Sequence, residues 1–183
     1  AELSGVSHFL EHMCFKGTPT RSAEDVNREL DEMGSQSNAF TSQEQTVYFC
    51  SVLPEHQLPA LNLLSDIMRP TLRQSDFDTE KQVILEEIAK YDDQPPYGGH
   101  DAALAKHFKS HPLGNSVLGT TESVSALTQQ QMLEYFHRQY SANNLTLAMA
   151  GNIEFDRIIE QLEAECSDWT HHDVRRDTNR YST

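Results

Sequence analysis

Two kinds of hydrophobic patterning alternate along this 183-residue chain. Leu58, Leu61, Leu64 and Met68 recur at helical spacing and predict an amphipathic helix after Pro54, ended by Arg69-Pro70. Thr46, Val47, Tyr48, Phe49 and Val52 form a β-branched and aromatic run instead. It is apolar on both faces, which predicts a buried strand over residues 45–53. A shorter strand over 37–41 precedes it, with Gln43-Glu44 in the turn. Residues 145–150 read as another buried strand, closed by Gly151-Asn152. Tyr48, Phe49 and Trp169 are expected in the core.

Capping and breaking residues place the other helices. One spans residues 5–16 and stops at Gly17. Ser22 reads as an N-cap with Asp25 in capping-box position, opening a helix over 23–33 that ends at Gly34. A helix over 75–91 carries Val83, Ile84 and Ile88 on one face. Asp92-Asp93-Gln94-Pro95-Pro96-Tyr97-Gly98-Gly99 reads as a loop, followed by a helix over 100–109 and a turn at His111-Pro112-Leu113-Gly114. Thr128 caps a helix through Gln139, and a last helix covers 155–166. This order predicts an α+β fold: an antiparallel or mixed sheet with helices packed mainly on one face. Residues 1–170 are expected to form one domain, with 171–183 as a polar tail or linker. The first helix opens almost at residue 1, so further chain is expected before it, and the unit reads as incomplete at both ends.

Charge and cysteine usage narrow the class. A formal net charge of −14 fits a solvated surface, or an acidic cavity that attracts basic peptides. The absence of a basic patch disfavours nucleic acid as a partner. No apolar run reaches membrane-spanning length, and the start lacks a signal-peptide pattern. Cys14, Cys50 and Cys166 are odd in number and widely spaced, which suggests reduced thiols and an intracellular compartment.

The chemistry concentrates in His8-Phe9-Leu10-Glu11-His12, an H-x-x-E-H motif. On a helix, His8 and His12 project from one face about one turn apart and can share one zinc ion. Glu11 can reach a water on that ion without ligating it. A third ligand is required. Glu80 and Glu87 stand seven residues apart and flank the apolar stripe of their helix, whereas Glu86 falls toward water. Helix geometry selects Glu80 or Glu87 without deciding between them.

The surrounding text closely resembles the pitrilysin/insulinase family of zinc metallopeptidases, the inverzincins, which include mitochondrial processing peptidase. The likeness runs from Gly5-Val6-Ser7 through His8 to Gly17-Thr18, then through Asn38-Ala39-Phe40-Thr41-Ser42 and Glu80-Lys81-Gln82-Val83-Ile84-Leu85-Glu86-Glu87-Ile88. It returns at His111-Pro112-Leu113-Gly114, Leu118-Gly119-Thr120 and Asn143-Asn144-Leu145 through Gly151-Asn152. The resemblance implies a zinc endopeptidase acting on short or unfolded polypeptides. It implies His8, His12 and Glu87 as ligands to one zinc ion, Glu11 as general base and Glu80 as a supporting acid. Asn38, Ala39 and Phe40 would lie along the bound peptide substrate, as an open strand edge allows.

The resemblance also implies a second homologous half, in the same chain or as another subunit. The open edge allows a homodimer. A non-catalytic scaffold or partner subunit of the same family is the alternative, and would be signalled by a missing ligand or base. A metal-free helical domain with an accidental motif is the third reading. His107 and His111 repeat the i, i+4 spacing, but Pro112 ends their helix and no acid stands beside them.

Overall fold

A computed structural model describes residues 3–174. Among these residues, eight α-helices pack with one antiparallel hairpin. The helices are α1 (Val6–Cys14), α2 (Ala23–Glu32), α3 (Gln57–Ile67), α4 (Gln74–Asp93), α5 (Pro95–Phe108), α6 (Thr121–Ala126), α7 (Gln129–Gln139) and α8 (Phe155–Cys166). The hairpin joins β1 (Gln36–Thr41) to β2 (Thr46–Ser51), with Ala39 opposite Tyr48 and Thr41 opposite Thr46.

Two apolar clusters hold these elements. In the first, Val6, Phe9, Leu10 and Met13 of α1 meet Phe77, Ile84 and Ile88 of α4, with Val124, Leu127 and Met132 closing the far side. The Phe9 and Phe77 rings stack with centroids 4.7 Å apart. In the second, Val26, Leu30 and Met33 pack on Ala60, Leu63 and Ile67 of α3, against Tyr48 and Cys50 of the hairpin. Helices therefore cover one sheet face: Tyr48 donates to Cys14 Sγ across it, while Phe40 and Phe49 on the other face are about half exposed.

Local signals explain most of the elements. Ser22 and Asp25 form the expected reciprocal capping box, and Thr128 caps α7 in the same way with Gln131. Gly34, at φ 59, follows α2 as its stop. Arg21 binds Glu29, Asn62 and Asp66 at once, which fixes the connection after α1 to α2 and α3.

The structure corrects five expectations. Residues 145–150 form no strand and pair with no neighbour among the described residues; Leu147 is 46% exposed. A strand needs a partner for its N–H and C=O groups, and apolar composition alone does not supply one. Residues 95–99 are not loop but the start of α5, because a proline at the first helical position is preset for helix. Only Gln94, in an extended conformation, separates α5 from α4. Strand β2 is not fully buried, and Phe49 is outside the core, since the hairpin is covered on one face only. Val83 likewise lies outside the α4 stripe, exposed while Ile84 and Ile88 are buried. From residue 175 on, the expected tail lies outside the described residues.

One backbone contact sets the entry of α1. Gly5 (φ 89) and Gly119 (φ 83) meet face to face: a Cβ on Gly5 would lie 2.5 Å from Leu118 O, and one on Gly119 would lie 2.7 Å from Ser4 O. Both are under van der Waals contact, and both backbones sit where side chains strain. Gly119→Ala is therefore expected to destabilise the chain by about 1–3 kcal/mol. Urea unfolding measures this; a midpoint equal to wild type would show that the contact has no structural weight.

Candidate metal centre

Helix α1 places its functional side chains by its own period. His8 and His12 sit one turn apart, with ring centroids separated by 4.7 Å. The α1–α4 packing brings Glu87 to them: its Oε2 is 3.8 Å from His8 Nε2 and 3.7 Å from His12 Nε2. One ligand atom from each of the three residues lies within 4.8 Å of the others.

These groups converge without bonding to one another, since both carboxylate distances exceed hydrogen-bond length. His8 is buried, and its Nδ1 has no hydrogen-bond partner among the described residues. Leaving a buried polar group unsatisfied costs about 1–3 kcal/mol. Two imidazole nitrogens and one carboxylate oxygen suit zinc, whose tetrahedral ligands stand roughly 3.3–3.5 Å apart. The two Glu87–imidazole separations are only slightly wider, and all three ligand atoms lie within 4.8 Å, so the residues fit such an ion. Three protein ligands would also leave one coordination position open.

Glu80 stands behind this trio. His12 Nδ1 lies 2.8 Å from Glu80 Oε1 and donates to it, which turns the Nε2 lone pair toward Glu87. Lys16 Nζ contacts the other Glu80 oxygen at 2.5 Å. Burial pushes the Glu80 carboxyl up, but its bonds to His12 and Lys16 outweigh that, and the net direction is down. Burial, with His12 alongside, drives His8 down to about 4, so its ring is neutral at pH 7 and its lone pair is free. Helix geometry left Glu80 and Glu87 equivalent; the structure separates them, with Glu87 on both rings and Glu80 on the rear nitrogen of one. Glu86 is exposed.

Glu11 is buried beside the trio. Thr41, on β1, donates from Oγ1 to Glu11 Oε2 at 2.5 Å. Burial raises the Glu11 carboxyl, and the Thr41 bond opposes this without cancelling it.

Asn38, Ala39 and Phe40 lie on β1, whose other edge has no partner strand among the described residues. Ser42 N donates to Gln45 O, and pairing alternates along an antiparallel ladder. The main-chain groups of Ala39 and Thr41 therefore face the open edge. Asn38 Oδ1 accepts from Ala39 N at 2.9 Å, so a side chain already occupies one edge donor. Phe40 points to the uncovered face, where its ring meets that of Phe49 at 6.5 Å.

Two residues at the site carried no assigned role in the sequence. Lys16 is four residues beyond His12, just past the end of α1, a spacing that could have shown it. Thr41 shares the face of Ala39 by strand alternation, but its contact with Glu11 spans thirty residues and has no local signal. His111 caps a turn by accepting from Leu113 N, a structural role.

The chain is similar to known proteins over most of its length. The family model described as Insulinase (Peptidase family M16) matches residues 1–121, and one described as the Peptidase M16 inactive domain matches residues 126–183. An uncharacterized zinc protease of Rickettsia felis is 40% identical over 164 residues, covering 89% of this chain and 40% of its own. The uncharacterized zinc protease YmxG of Bacillus subtilis is 39% identical over 163 residues, covering 88% of this chain and 40% of its own. This chain thus spans about two fifths of those relatives. A protease from Helicobacter pylori superposes with a TM-score of 0.90 over 98% of this chain and 44% of that one, at 22% identity, which shows a shared fold. An M16-like peptidase from Alicyclobacillus acidocaldarius gives a TM-score of 0.83 at 27% identity, over 93% of this chain and 40% of that one. With two thirds of its length matched by the first of those family models, the chain belongs to the insulinase family of peptidases, family M16.

Proposed function

We propose that this chain is a zinc-dependent endopeptidase domain that holds one zinc ion on His8, His12 and Glu87 and hydrolyses peptide bonds in short or unfolded polypeptides. The convergence of two Nε2 atoms on one Glu87 oxygen, with Glu11 buried alongside, carries this reading. Bound there, zinc would polarise a water molecule and the scissile carbonyl.

The residues of the chain do the rest. Glu11 Oε1, not engaged by Thr41, takes the proton from the water and later delivers it to the leaving amine nitrogen. Its raised proton affinity suits both transfers. Glu80, neutralised in part by Lys16, holds His12 in the tautomer and orientation a ligand requires. The open edge of β1 offers Ala39 and Thr41 main-chain groups to an extended peptide, which favours unfolded over folded substrates. The rest of the substrate pocket falls to a second homologous half, in the same chain or as another subunit. Without it, hydrolysis is expected to be slow.

Three outcomes test this reading. Glu11→Gln keeps its zinc, measured by atomic emission, and abolishes cleavage of a quenched peptide; cleavage at the wild-type rate would remove Glu11 as base. Zinc affinity ranks the carboxylates: Glu87→Ala loses the most, Glu80→Gln weakens binding about 10–100-fold, and Glu86→Ala matches wild type. Equal losses at Glu86 and Glu87 would refute the ligand assignment. The third outcome concerns the metal-free protein. His8 takes its proton near 4 when folded and near 6.5 when unfolded, so acidification favours the unfolded chain. The neutral-ring contribution is full above pH 6.5 and is lost progressively as the pH falls toward 4. The loss is up to about 3 kcal/mol, and His8→Gln should flatten it, as followed by denaturant midpoints across that range.

A further inference from the structure

Thr41 performs two tasks from opposite sides of one residue. Its main-chain N–H and C=O face the open edge of β1, while its side chain turns inward and reaches Glu11. Among the described residues it supplies the one hydrogen bond that Glu11 receives on its carboxylate.

The protons fix the direction of this contact. An ionised carboxylate only accepts, so the single hydroxyl proton of Thr41 goes to Glu11 Oε2. Thr46 Oγ1 lies 3.1 Å from Thr41 Oγ1, directly across the hairpin, and is left to donate to it. Two hydroxyls therefore form a chain aimed at the carboxylate, each strengthening the next. A Thr–Thr pair that served only the hairpin would have no need of Glu11. Held at Oε2, the carboxylate has one oxygen left for chemistry.

We propose that Thr41 is a positioning residue for Glu11, locking the orientation of the base to the strand edge that receives the peptide. The inference rests on the endopeptidase reading. Because the residue that aims the base also lends its main chain to the edge, peptide register and base orientation are set together. Loss of the hydroxyl should cost turnover rather than peptide or metal binding.

The test uses the full zinc-loaded chain as wild type, Glu11→Gln, Thr41→Val and Thr41→Ser, with a quenched peptide. Thr41→Val keeps shape and β-branching but removes the hydroxyl. It is expected to lower kcat about 10–100-fold with KM and zinc content unchanged, and with the visible bands of the cobalt-substituted protein unaltered. Thr41→Ser restores the hydroxyl and should recover most of kcat. If Thr41→Val retains wild-type kcat, loses metal or changes KM alone, the positioning role is overturned. The same holds if Thr41→Ser is as slow as Thr41→Val. If wild type cleaves no faster than Glu11→Gln, the endopeptidase reading fails instead, and the positioning role falls with it.

Discussion

Helix α1 is buried on nearly every side, and it carries His8, Glu11 and His12 into that burial. Apolar packing is what holds it there: Phe9 and Leu10 are fully buried, and each such side chain contributes about 1.5–3 kcal/mol. The same burial makes every ionisable group on the helix a liability unless a partner meets it. The surrounding structure is largely a set of answers to that requirement. Glu80 answers His12, Thr41 answers Glu11, and Glu87 faces the two Nε2 atoms across a gap of metal-site dimensions. The Phe9–Phe77 stack matters to function for this reason, since it joins the helix of the histidines to the helix of the glutamates.

What could be read from sequence follows the range of the interactions involved. His8, Glu11 and His12 were legible because one helical turn fixes their geometry. The inward placement of Glu80 and Glu87 was legible from the α4 stripe, and the capping boxes at Ser22 and Thr128 from three-residue spacing. Helix geometry alone did not choose between Glu80 and Glu87, because that depends on how α4 crosses α1; only the family resemblance pointed to Glu87. Thr41 on Glu11 and Lys16 on Glu80 are tertiary contacts of the same kind. Residues 145–150 show the complementary failure: the pattern of a strand is local, but its hydrogen bonds belong to a neighbour. At residues 95–99, turn-forming composition competed with the preference of proline for the first helical position, and the helix won.

The hairpin shows how one element serves two demands. Its inner face packs on the helices through Tyr48, whose hydroxyl also meets Tyr140, while its open edge keeps unpaired main-chain groups. Such an edge invites pairing with other chains. Asn38 blunts it locally by holding the Ala39 N–H, and an incoming peptide carbonyl would displace that side chain at the cost of one exchanged hydrogen bond. Exchange of one bond for another is nearly neutral, so the edge is shielded without being closed.

Charge balance ties these features together. Glu11, Glu80 and Glu87 gather three carboxylates around two imidazoles, and Lys16 supplies one fixed positive charge on Glu80. His8 cannot easily supply another, because burial keeps it neutral. With both imidazoles in the neutral form that a ligand requires, the cluster is short of two positive charges when all three carboxylates are ionised. A partly buried site with that deficit either takes protons or takes a cation. Glu80 is held in its anionic form by His12 and Lys16. A divalent ion seated between His8, His12 and Glu87 removes the deficit at the point where the ligand atoms already converge. The elements that stabilise α1 and those that would charge it with chemistry are in this sense the same elements.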